Sequence, residues 1–144
     1  MKHKFARLIL LSFICVVAGA QTSLPLVAKP KSVTGQYRLR KDEFRNSLDV
    51  RQLRGGKIKF ALIALWVSPN NPQNIHNGEL HGVARLENGV AMYESGNCKV
   101  RMSFASNRVI IKTDDVIDDC GFGANVAASG TYRKINSKSP RFDF

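Results

Sequence analysis

From Val33 onward, apolar side chains recur at every second position, and turn-forming residues interrupt them about every eight to twelve residues. Val33, Gly35, Tyr37 and Leu39 alternate with Thr34, Gln36, Arg38 and Arg40. Leu48 and Val50 alternate with Asp49 and Arg51, and Gly55-Gly56 then turns the chain into Ile58, Phe60, Leu62, Ala64 and Trp66. Lys57 and Lys59 mark the wet face of that strand's first half. Its second half, Ala61 to Val67, is apolar at both phases, which predicts a central or covered segment. Ser68 to Asn77, with two prolines and four asparagines, reads as a polar loop, and strand character resumes over Glu79 to Leu86. Asn88-Gly89 between apolar alternations is the strongest hairpin signal in the chain. Val90 to Glu94, Cys98 to Phe104, Val109 to Lys112 and Ala128 to Ile135 complete the set. No window from residue 33 onward carries a helical period.

Short strands joined mainly by tight turns predict an all-β domain, a small antiparallel barrel of about eight strands, with a β-sandwich as the alternative arrangement. An internal echo favours the barrel. Gly35-x-Tyr37-Arg38 in the first strand matches Gly130-x-Tyr132-Arg133 in the last. Matching patterns at both ends suit two strands that meet and so remove the sheet's edges.

The stretch before the strands has a different character. Lys2, Lys4 and Arg7 precede an apolar run from Leu8 to Val17, and Ala18-Gly19-Ala20 supplies the small residues that a signal peptidase reads. Residues 1–20 are therefore expected to be a signal peptide cleaved before Gln21, and the apolar run is too short for a stable membrane anchor. Residues 21–32 form a flexible lead-in with Pro25 and Pro30, 33–136 the barrel domain, and 137–144 a C-terminal tail. The expected location is the bacterial periplasm or the medium, with no transmembrane segment left after cleavage. Of the three cysteines, Cys15 would leave with the signal. Cys98 and Cys120 then form an even pair in an oxidising compartment, which predicts a disulfide.

Charge narrows the partner class. The net charge is +11, and cleavage would remove three of the 22 basic residues and none of the 11 acidic ones, leaving +8. In an envelope setting the abundant anions are lipid head groups, lipopolysaccharide phosphates and wall polymers, and a positive field raises the rate of encounter with them. Arg38, Arg40, Arg51, Lys57, Lys59, Lys99, Arg101 and Arg133 all fall on wet phases of predicted strands and form a candidate basic belt. Of these, Arg38, Arg40, Lys99, Arg101 and Arg133 are the candidate binding surface, for an anionic envelope component or a protein partner. Nucleic acid is not expected, because aromatics do not interleave with these charges. Phe142-Asp143-Phe144 resembles the closing strand of an outer-membrane barrel, but Lys and Arg on outward phases would each cost a few kcal/mol in a lipid-facing belt.

Catalytic signals are thin, and no cofactor motif is present. His76, Glu79 and His81 could centre a metal-dependent hydrolase if His76 folded back from its loop, but the histidine–glutamate zinc motifs rely on a helix to align their ligands. Asp114, Asp115, Asp118 and Asp119 lack the alternating oxygens and terminal glutamate of a calcium loop. No nucleophile elbow or phosphate loop appears, and the protein reads as non-enzymatic. The run from Cys120-Gly121-Phe122-Gly123 to Ser129-Gly130-Thr131-Tyr132, with Gly78-Glu79-Leu80-x-Gly82 and Ala91-x-Tyr93 upstream, resembles small secreted bacterial β-proteins over roughly residues 55–134. The Ser129 to Tyr132 segment also resembles periplasmic lysozyme inhibitors of the small-barrel type, which would imply inhibition of a cell-wall hydrolase. A basic partner for a basic lysozyme works against electrostatic complementarity.

Overall fold

The alternation of Val33, Gly35, Tyr37 and Leu39 translates directly into burial: all four are turned inward, and the residues between them face outward. The same rule runs through eight strands in the computed structural model, which describes residues 31–113 and 120–144. They are β1 (Gly35–Lys41), β2 (Phe44–Leu53), β3 (Lys57–Val67), β4 (Ile75–Glu87), β5 (Val90–Ser95), β6 (Cys98–Phe104), β7 (Arg108–Thr113) and β8 (Gly130–Asn136). Each strand pairs antiparallel with the next, and β8 pairs with β1, so the sheet closes into an up-and-down barrel. The barrel, not the sandwich, is the arrangement. The predicted signal peptide, residues 21–30 of the lead-in and the Asp114–Asp119 cluster lie outside the described residues.

Side chains fill the interior. Tyr37, Leu48, Val50, Ile58, Phe60, Leu62, Val100, Met102, Val109, Ile111 and Tyr132 are all at most 1% exposed. The outward phases of β1 to β4 and β6 to β8 carry Lys or Arg, the inverse of a barrel that turns an apolar band toward lipid. Asn88-Gly89 forms the expected two-residue hairpin, both residues at positive φ, the geometry that matches strand twist.

Closure rests on the repeated motif. Tyr37 donates its hydroxyl to the Val33 carbonyl at 2.7 Å, and Tyr132 donates to the Ala128 carbonyl at 2.7 Å, each four residues upstream. Between donor and acceptor sit Gly35 (φ +147°) and Gly130 (φ +154°), in backbone conformations that L side chains rarely adopt. A Cβ on Gly35 would collide with the Asn136 carbonyl of β8, and one on Gly130 with the Leu39 side chain of β1. Each glycine therefore makes room for the other's strand.

Burial pushes the Tyr37 phenol up to about 12 and that of Tyr132 higher still. An unfolded chain would release these protons near pH 10 and the folded chain only above that. Stability that is fully present below pH 10 should therefore fall as pH rises from about 10 to 12. Lys134, whose partly buried ammonium lies over the Tyr37 ring and titrates below the usual lysine range, pulls weakly the other way. A pH series of chemical denaturation midpoints checks this; a midpoint that holds constant through pH 12 would show that the phenols are not protected by the fold.

Two features of β3 and β4 depart from the sequence reading. β4 begins at Ile75, not Glu79, because the 11-residue β3 offers a template that Ile75, His76 and Asn77 pair with, opposite Val67, Trp66 and Leu65. The Ala61–Val67 half of β3 is covered on one face only. Its inward Leu62 and Ala64 are buried, whereas outward Ile63 is 38% exposed.

Candidate functional site

Strand register decides which of the outward cations become neighbours. Arg133 of β8 lies directly opposite Arg38 on one side and Arg108 on the other, so three guanidinium-bearing residues form a row across β7, β8 and β1. One step along, Arg40 of β1 lies opposite Arg45 of β2. Directly opposed like charges destabilise a sheet, because their Cβ atoms stand only about 5 Å apart. Among the described residues, the acid that reaches this row is Asp49, 3.4 Å from Arg38 and also held by Gln36. This half-exposed ion pair contributes at most about 1 kcal/mol.

A second row crosses β4 to β7. Arg85, Met92, Arg101 and Lys112 stand opposite one another in turn. Arg85 pairs with Glu87 at 2.8 Å, and Lys99 lies opposite Glu94. Exposed Ile110, between Arg108 and Lys112 on β7, separates the rows. The five residues of the predicted binding surface thus divide: Arg38, Arg40 and Arg133 belong to the first group, Lys99 and Arg101 to the second. Arg108, Arg85 and Lys112 were missed by sequence reasoning. Hairpin register could have placed Arg85 in a row with Met92 and Arg101, since Asn88-Gly89 and Gly96-Asn97 fix which residues of β4, β5 and β6 face each other.

Other members of the predicted belt are engaged by the tail. Residues 137–144 return across the barrel's outer face, where Phe142 lies under the Arg51 guanidinium (5.2 Å) and Phe144 under the Lys59 ammonium (4.3 Å). Lys59 also donates to the main-chain oxygen of Phe144, and the Phe144 ring packs on His81 at 4.3 Å. Lys57 stands at the start of β3, opposite Arg85.

The histidine–glutamate constellation is not assembled. Because β4 already runs through Ile75–Asn77, His76 shares the phase of Gly78 and Leu80, while Glu79 and His81 share the opposite one. His76 packs against Trp66 at 5.2 Å with the rings tilted by 48°, and its Nδ1 lies 2.7 Å from the Ala124 carbonyl. Among the described residues, no group of three or more His, Cys, Asp or Glu side chains converges as metal ligands.

The motif that carries the resemblance has a structural role. Gly78 accommodates Phe122, Gly82 accommodates Tyr93, and a Cβ at either position would strike the aromatic ring. Phe122 reaches Gly78 from the segment that follows Cys120, and Cys120 is disulfide-bonded to Cys98 across a separation of 22 residues. These residues cap one end of the barrel. Fold and surface together define a filled eight-stranded antiparallel barrel with two cross-strand rows of outward cations. The chain matches no protein-family model, and no curated protein or solved structure is significantly similar to it.

Proposed function

We propose that this is an exported, non-enzymatic binding protein of the periplasm or extracellular space that engages an anionic envelope component through its basic outer face. The observation that supports the reading most is the Arg108–Arg133–Arg38 row, in which register opposes like charges twice in succession. Such a row is self-repelling in the free protein, and a polyanion laid across it would relieve the repulsion. The signal-like leader and the disulfide fit an oxidising destination outside the cytoplasm.

Both Arg108 and Arg133 are exposed on the outward phase, so replacing them leaves the core packed. Near an anionic membrane each basic residue contributes about 1 kcal/mol. The Arg108→Gln/Arg133→Gln variant should therefore bind vesicles rich in phosphatidylglycerol roughly thirtyfold more weakly in co-sedimentation, with an unchanged or slightly raised melting temperature. Unchanged vesicle binding at low salt would make the row a solubility device and remove the reading.

A further inference from the structure

The seam that closes the barrel is only half zipped. Ladder pairing between β1 and β8 runs through Gln36, Tyr37 and Arg38 and stops there, although β1 continues to Lys41 and β8 begins at Gly130. Among the described residues, no ladder pair joins Leu39–Lys41 to Gly130–Tyr132. A cleft of about 550 Å³ opens at this place, within the roughly 300–1,000 Å³ of small-molecule sites.

Its lining is cationic and hydroxyl-bearing along one part and apolar along another, with one carboxylate, Asp42, beside Lys41. Arg40, Lys41 and Arg133 bring three cations, and Ser129 and Thr131 bring hydroxyls. Leu39 and Phe44 supply apolar surface between them. Of the polar groups, Ser129 is already committed to Thr113 through its Oγ, and Lys41 has Asp42 at 3.9 Å. Width excludes one class of occupant. The Leu39 side chain occupies the space that a Cβ of Gly130 would need, so the strands stand too close for a third strand to enter between them. What fits is a head group at the cationic rim with an apolar tail against Leu39 and Phe44.

We infer that this open half of the β1–β8 seam is a binding site for a small amphiphilic oxyanion, a carboxylate or phosphate group carrying a short apolar chain. Arg40 and Arg133 would hold the charge, since guanidinium forks match both oxyanions in two-pronged geometry. Thr131 can donate a neutral hydrogen bond. The inference extends the anion-binding reading of the basic face, with which it shares Arg40 and Arg133.

The test uses isotope-labelled protein at physiological salt, titrated separately with octyl phosphate, octanoate, inorganic phosphate and octyl glucoside and followed by amide chemical shifts. At least one of the two charged amphiphiles should bind ten times more tightly than inorganic phosphate and than the glucoside, with shifts centred on residues 39–44 and 127–133. Whichever of the two binds more tightly identifies the head group. The Arg40→Gln/Lys41→Gln variant should lose that binding by at least tenfold. Arg101→Gln/Lys112→Gln, outside the cleft, should leave amphiphile binding unchanged. Glucoside binding as tight as that of the charged amphiphiles, or shifts centred on the β4–β7 row, would overturn the site. Either result would leave the basic-face reading standing, because that reading is decided by vesicle association alone.

Discussion

Asn46→Ala is expected to destabilise the barrel by about 3 kcal/mol and to lower its melting temperature by roughly 10 °C. Asn46 is the one buried polar residue among the described core, 1% exposed on the inner face of β2. Its Nδ2 donates to the Ala127 carbonyl at 2.8 Å and to the Tyr132 hydroxyl at 3.1 Å, and its Oδ1 accepts from the Leu65 amide at 3.0 Å. One side chain thereby joins β2, β3 and the segment leading into β8; of its partners Tyr132 is buried, Leu65 half-buried and Ala127 exposed. Alanine would leave the half-buried Leu65 amide without its partner, take a donor from the Tyr132 hydroxyl and open a void besides. Since Tyr132 itself bonds Ala128, the effects of Asn46→Ala and Tyr132→Phe should be non-additive in a double-mutant cycle. A loss under 0.5 kcal/mol in urea unfolding, or strict additivity, would mean that the three bonds do not act as one network.

Removing the disulfide should cost a similar amount. Cys98 is 3% exposed at the start of β6, and its bond to Cys120 closes a loop of 22 residues. On the chain-entropy model a loop of this length contributes roughly 3 kcal/mol by restricting the unfolded chain. Cys120 also begins the segment whose Phe122 packs on Gly78 and whose Ala127 carbonyl meets Asn46, so its release loosens the barrel cap as well. Cys120→Ser is expected to lower the melting temperature by roughly 10 °C and to raise hydrogen exchange first in residues 121–128, ahead of β2 and β3. A variant as stable as the parent, with the parent's exchange pattern, would place the cap's stability elsewhere.

Much of this architecture was readable from local pattern. Period-two alternation identified eight strands, Asn88-Gly89 located a hairpin, and the repeated Gly-x-Tyr-Arg indicated which strands meet. Each of these is a short-range signal. What alternation could not supply was register, and register decides the site. Arg38 and Arg133 are 95 positions apart in the chain and become neighbours only because β8 closes on β1 with a bulge between Gln36 and Tyr37. Arg108 joins them through the β7–β8 pairing, which bridges a connection too long for a single turn to fix its register. The cleft was invisible for the same reason: a ladder that stops short is a property of two strands and leaves no mark on either. His76 illustrates the converse. Its polar, proline-containing neighbourhood read as a loop, and pairing to β3 overrode that local preference.

If the outward cations recognise anionic envelope material, binding by the unmodified protein must depend on salt. Partition between solution and vesicles should be measured for phosphatidylglycerol-containing and purely zwitterionic membranes across a range of salt concentrations. Surface charges separated by more than about 10 Å are largely screened from each other at 0.1 M salt. Binding to the anionic membrane should therefore weaken steeply as salt rises, and binding to the zwitterionic one should be negligible throughout. Equal partition onto both membranes, or binding to the anionic one that salt does not weaken, would show that the outward cations do not recognise anionic lipid.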